Sequence, residues 1–243
     1  MPTSIADTGR VRSNRTWLPW ATAACWLLTL SYFPVSLAVA HAWPAGYSMS
    51  GNYISDLGIT RCGEYVDRDG ASRWVCSPDH AVQNVMFVST GLLSFAGALG
   101  WARMWSGRRF RAGCALVAVG GLGIAGIGLA PWDIRPQAHD TIALAQWFAQ
   151  LAGMVLITPE VARRRRGLVV GTALAVAISV IGGVFLFARN HFGLGAGVSE
   201  RIAFDTLTVW GGQVGFVLLL TPDGGRRGGR HPGTDRSNRR RRG

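Results

Sequence analysis

Lysine is missing from this chain, acidic residues number only 13 in 243, and charged residues of both signs make up 16%. A water-soluble domain normally carries about a quarter charged residues. With 49% apolar residues and a mean hydropathy above zero, this scarcity of charge excludes that class. Also missing are the roughly ten-residue alternating segments of a membrane β-barrel, so the apolar segments must be helices whose backbone bonds close internally. No phosphate-cradling loop, nucleophile elbow or haem motif occurs, which removes the commonest nucleotide, acyl-transfer and redox chemistries.

What is present is a set of long apolar runs. Helices are expected over 16–42, 81–105, 112–130, 142–162, 168–188 and 204–220, each near the roughly 20 residues a bilayer crossing needs. The expected fold class is therefore an all-α membrane protein, a six-transmembrane-helix bundle. The organisation is a cytoplasmic segment over 1–16, a transmembrane domain over 17–220 that includes an extracytoplasmic loop at 43–80, and a disordered Arg-rich cytoplasmic tail over 221–243. Ala38-Val39-Ala40 resembles a signal-peptide cleavage site, but the apolar stretch before it exceeds the usual length of about 7 to 15 residues, so it is read as a retained span.

With no lysine, arginine alone sets the topology. Nineteen of the 25 arginines fall before the first span, around the second and fourth connections and in the tail, leaving Arg61, Arg68, Arg73, Arg135, Arg189 and Arg201 on the other side. The rich side is expected to be cytoplasmic, with both termini inside and the chain in a bacterial plasma (inner) membrane. Anionic lipid accounts for the net charge of +12 at about 1 kcal/mol per surface arginine, so the bilayer is the expected partner and no nucleic acid is. The sequence leaves the oligomeric state open.

Cys62 and Cys76 both fall in the long outward loop, whereas Cys25 and Cys114 lie inside spans. An oxidising compartment permits a disulfide between the loop pair. A shared zinc is the competing reading, although the separation is not that of a zinc knuckle.

The polar residues inside the spans are the informative ones, because polar groups at bilayer depth must face one another or a water-filled cavity. On the fourth span His139, Ala143, Gln146 and Gln150 recur at i, i+4, i+7 and i+11, in phase to within about 20° over a rise of about 16 Å. On the second span His80 and Asn84 share a face with Gly91, and on the sixth Arg201 and Asp205 form an i, i+4 pair followed by Thr208. Three helices thus offer polar faces to a common interior that opens outward. Ala118, Gly121, Ala125 and Gly128 make a small-residue face on the third span, suited to close helix packing. Ser55 and Asp56 are adjacent and do not face each other on a helix; the pair is read as the start of a short interfacial helix.

Ile54-Ser55-Asp56-Leu57-Gly58 after the first span, Asn84 and Gly91 on the second, Gly126 to Pro131 closing the third, His139, and Glu200-Arg201 with Trp210 together resemble the family catalogued as domain of unknown function 998. The resemblance runs from about Trp17 to Leu220 and implies a six-span prokaryotic membrane architecture. It implies no activity. The loop carrying Cys62 and Cys76 looks like an addition to more compact members of that family.

Three functional readings follow. The favoured one is a binding protein whose outward polar pocket takes a lipid or small amphiphile, with Ser55, Asp56, His80, Asn84, His139, Gln146, Gln150, Glu200, Arg201 and Asp205 as candidate lining residues. No cofactor is expected on that reading. The second is a metal-dependent intramembrane hydrolase in which His80, His139 and Asp56, or His191, would hold a catalytic zinc. The third is a small transporter or channel subunit, against which stands the lack of an inverted repeat with matching broken helices.

Overall fold

The computed structural model describes residues 17–66, 70, 72–188 and 191–221. The segments 1–16 and 222–243, expected to be a cytoplasmic leader and a disordered tail, lie outside the described residues, as do Arg68 and Arg189.

Among the described residues, six helices are long and apolar enough to cross a membrane: Leu18–His41, His80–Met104, Arg108–Leu129, Pro136–Arg164, Arg166–Phe187 and Ala196–Leu220. The first is interrupted. It consists of α1 (Leu18–Leu28), a 3₁₀ turn at Thr29–Ser31, and α2 (Tyr32–His41). Pro34 explains the break, since its missing N–H and its ring disfavour an α turn through Leu30. Thr29 and Ser31 hydroxyls donate to the carbonyls of Trp26 and Leu28, each at 2.7 Å, satisfying acceptors at the break.

The remaining spans are α3 (His80–Met104), α4 (Arg108–Leu129), α5 (Pro136–Arg164), α6 (Arg166–Phe187) and α7 (Ala196–Leu220). Two begin well before the expected positions. α5 starts at Pro136 instead of residue 142, because proline is pre-set for the first helical position and needs no N–H partner there. α7 starts at Ala196 instead of residue 204, behind Gly195 at φ +85°. Polar side chains interrupt both extra stretches, Gln137, His139 and Asp140 in one and Ser199, Glu200 and Arg201 in the other, so apolar length alone reads them as loop. Pro159 lies inside α5 without ending it.

The helices close a ring in the order α1, α3, α4, α5, α6, α7 and back to α1, with α5 and α6 meeting most thinly. Glycines set the tight contacts. A Cβ on Gly91 of α3 would lie 2.5 Å from the Gly121 carbonyl oxygen of α4, and one on Gly113 of α4 would lie 2.8 Å from the Gly153 carbonyl oxygen of α5. The expected small-residue face of α4 thus receives α3. Trp26, Trp101 and Trp210 fill the half of the ring toward Arg108 and Arg164, with Trp26 and Trp210 edge to face at 5.9 Å.

At the other end the connection between α2 and α3 folds into a cap with its own core of Trp43, Leu57, Ile59 and Val75. Ser55–Gly58 forms a single 3₁₀ turn. β1 (Gly63–Val66) and β2 (Ser72–Val75) form an antiparallel hairpin in which Gly63 faces Val75 and Val66 faces Ser72. The Cys62–Cys76 disulfide closes its base. The all-α expectation therefore holds for the spans, while the loop is part β.

Candidate functional site

The chamber beneath the cap is built outward from α5. His139, Gln146 and Gln150 are 6%, 4% and 6% exposed, and with Ala143 they line one side of a cavity of about 70 Å³. They can approach α4 closely because Gly120 and Gly123 leave room; a Cβ on either would strike Gln150 or Gln146. Glu200, Phe204, Asp205 and Thr208 come from α7, one or two helical turns apart. Tyr32 enters from α2, Phe87 and Thr90 from α3, and Ser55 from the cap's 3₁₀ turn.

A second cavity of about 350 Å³ continues from it, sharing Ser55, His139, Ala143, Glu200 and Phe204. It is lined by Leu144 of α5 with Leu186 and Phe187 at the end of α6 on one side, by Tyr53 and Arg73 of the cap on another, and by Trp132, Asp140 and His191. Chamber and vestibule thus adjoin, and the vestibule reaches both the cap and the thin seam between α5 and α6.

Glu200 and Arg201, adjacent at the start of α7, both grip the segment that precedes the 3₁₀ turn. The Glu200 carboxylate accepts the Ile54 N–H while lining the chamber. The Arg201 guanidinium donates through Nη1 to the carbonyls of Met49 and Asn52 at 3.1 Å and Gly197 at 2.8 Å, and through Nη2 to the Tyr47 hydroxyl. Gly197 N–H donates to Ser50 O at 2.9 Å. Arg201 is therefore a tie to the cap and does not line the chamber; its charge still acts on Asp205, whose carboxyl group lies beside the Tyr32 hydroxyl.

Three more candidates serve the cap. Asp56 is fully buried, and its carboxylate accepts Arg73 Nε and Nη2 at 2.8 Å each, Tyr53 N–H at 2.9 Å and Asn52 Nδ2 at 3.3 Å. Asn84 Nδ2 donates to Gly58 O at 2.9 Å, and His80 Nδ1 donates to Ser77 O at 3.0 Å. None of the three lines either cavity. His139 Nδ1 donates to Ala130 O at 2.8 Å, fixing the ring between α4 and α5. Among the described residues no three His, Cys, Asp or Glu side chains gather where a metal ion could sit. The zinc set of His80, His139 and Asp56, with or without His191, is thus not brought together, because Asp56 is saturated by donors and His80 is turned to the loop. Burial raises the Tyr47 hydroxyl above its ordinary pKa, and the same effect acts more weakly on Tyr65.

Sequence reasoning missed Tyr32, Phe87 and Thr90. A signal existed: Gln83, Phe87, Thr90 and Ser94 repeat the same i, i+4, i+7, i+11 spacing as the α5 stripe, and all four are buried. An aromatic residue among polar ones hid it.

No curated protein and no solved structure matches the chain. The family described as "Protein of unknown function (DUF998)" matches residues 14–217, which takes in the whole ring of spans up to the last turn of α7. The chain belongs to that family of multi-pass membrane proteins, as the Ser-Asp-Leu-Gly element and its companions implied.

Proposed function

We propose that this protein binds a lipid or a small amphiphile, with the headgroup in the chamber and the apolar tail leaving through the seam between α5 and α6. The observation that carries this is the continuity of a chamber in which Gln146, Gln150, Glu200 and Asp205 stand among apolar side chains with a vestibule that Leu144, Leu186 and Phe187 border on its α5 and α6 side. Leu144 and Phe187 line that vestibule and are 39% and 51% exposed, so they border bilayer and ligand path at once. The larger cavity falls within the range of about 300 to 1,000 Å³ typical of ligand pockets. The cap is extracytoplasmic on this reading, with both termini in the cytoplasm: Arg108, Arg109 and Arg111 begin α4 and Arg163 to Arg166 join α5 to α6 at the far end. The disulfide in the cap agrees with an oxidising compartment.

Ala143 lines both cavities, so a large side chain there plugs the junction without removing a polar group. Protein extracted in mild detergent retains an amphiphile visible by native mass spectrometry, and Ala143→Phe, eluting as a monodisperse peak, loses it. An unchanged lipid complement in Ala143→Phe, or none in the parent, would sink the reading.

A further inference from the structure

Resting on that reading, we infer that the headgroup taken by the chamber is a protonated amine that carries N–H donors. Its recognition site is the space between the Glu200 and Asp205 carboxyl groups, the Gln146 amide oxygen and the rings of Tyr32, Phe87 and Phe204.

Charge gives the first reason. Two carboxyl groups line the chamber, and no arginine lines it; Arg201, the nearest guanidinium in sequence, is held by two cap carbonyls, by Gly197 O of its own helix and by Tyr47. No guanidinium is in the lining, so a cation entering the chamber would offset carboxylate charge in a low-dielectric site, where an unbalanced charge is expensive.

The second reason is independent of charge. Gln146 Oε1 and Thr90 Oγ1 are buried in side chains 4% and 2% exposed, line the chamber, and have no hydrogen-bond partner. A buried amide oxygen without a donor loses about 1–3 kcal/mol relative to a satisfied one. The group that completes this site therefore brings hydrogens. An ammonium supplies up to three, enough for a carboxylate, the Gln146 oxygen and the Thr90 hydroxyl.

The third is shape. Tyr32, Phe87 and Phe204 come from three different elements and wall the same small space. Aromatic faces attract cations, and the effect grows where water is excluded. A phosphate or carboxylate headgroup would meet the Glu200 and Asp205 carboxyl groups with no arginine in the lining to offset them. The small chamber suits an amine, and the larger vestibule suits whatever the amine is attached to.

The experiment uses the full chain in mild detergent with four probes of equal chain length: dodecylamine, dodecanol, dodecyltrimethylammonium and dodecyl phosphate, read by native mass spectrometry. Dodecylamine is retained about tenfold better than dodecanol, as charge-assisted bonding predicts. The preference falls below about threefold in the Glu200→Gln, Asp205→Asn double variant, whose amides keep the contacts to Ile54 and Tyr32. Undiminished dodecanol binding in that variant certifies its fold, and Asp205→Asn alone gives the same direction should the double variant aggregate. Equal retention of amine and alcohol overturns the amine and leaves amphiphile binding standing. Equal retention of the trimethylammonium probe overturns the requirement for N–H donors. If the parent protein retains no probe, both readings fall. Competition by phosphatidylethanolamine, or by free ethanolamine, identifies a lipid headgroup or a free amine as the source; either supports the inference.

Discussion

In the cap, the buried carboxylate of Asp56 accepts four hydrogen bonds, two of them from Arg73; in the chamber below, the buried oxygens of Gln146 and Thr90 accept none. Both regions take polar residues out of water, and the difference lies in what answers them. Apart from the Trp43 indole N–H, which has no hydrogen-bond partner among the described residues, the cap is answered by its own chain: Asp133 receives Thr60 N–H and hydroxyl, Ser77 donates to Leu57, and Asn84 holds Gly58. The chamber is incomplete by itself. Satisfied polar groups fix one geometry, whereas unsatisfied ones among fixed walls select what enters.

The strongest way to break this contrast is to leave the cap with a group like those in the chamber. Arg73→Ala strands the Asp56 carboxylate, and removing one partner of a buried pair destabilises by about 3–5 kcal/mol. The expected result is a large drop in the thermal midpoint followed by fluorescence-detected size exclusion, with Asp56→Asn, Arg73→Met recovering part of it. Little change would mean the cap is not held by this pair.

Next in size is the disulfide. Cys62 and Cys76 are 14 positions apart, and closing a ring of that length stabilises by about 3 kcal/mol in the chain-entropy model. Cys62→Ser, Cys76→Ser exposes the hairpin to proteolysis while the spans stay intact, so cleavage maps to the hairpin. Cleavage within the spans instead would show that the cap supports the whole ring.

A smaller effect comes from Tyr47, whose hydroxyl donates to Tyr53 O at 2.7 Å and meets Arg201. Burial raises its pKa above the unfolded value of about 10, so the folded cap holds this proton more tightly. Its contribution is complete below about pH 10 and is lost as pH rises beyond that. Tyr47→Phe removes the hydroxyl bonds at about 1 kcal/mol and flattens the alkaline loss of thermal stability. A Phe variant as alkali-sensitive as the parent assigns the loss to other groups.

The parts of the molecule that could be read in the sequence are those governed by one helix at a time. The α5 stripe of His139, Ala143, Gln146 and Gln150 is a matter of phase on a single rod, and the structure lines one cavity with it. The α4 face of Gly121 and Ala125 follows from side-chain size alone. What was not legible depends on chain folding between elements. Arg73 and Asp56 are 17 positions apart and meet only because a hairpin of two four-residue strands turns one back over the other. Strands so short carry no clear period. Arg201 and Asp205 illustrate the same limit: their i, i+4 spacing is correct, but Arg201 finds cap carbonyls, which no local pattern announces.

The finest test reverses the sign. Thr90→Val replaces an unpartnered, 2% exposed hydroxyl with a methyl of similar shape. In the cap, deleting a polar partner lowers stability; in the chamber, removing a group that bonds to nothing relieves its desolvation, so the ligand-free protein gains a few tenths to about 1 kcal/mol. The same change takes away an acceptor that a bound amine would use, so retention of dodecylamine falls while that of dodecanol holds. A rise in thermal midpoint together with a loss of amine preference is the signature of a group kept for a ligand at some expense of stability. A fall in midpoint would mean that Thr90 bonds within the protein after all, and the contrast between cap and chamber would lose its sharpest member.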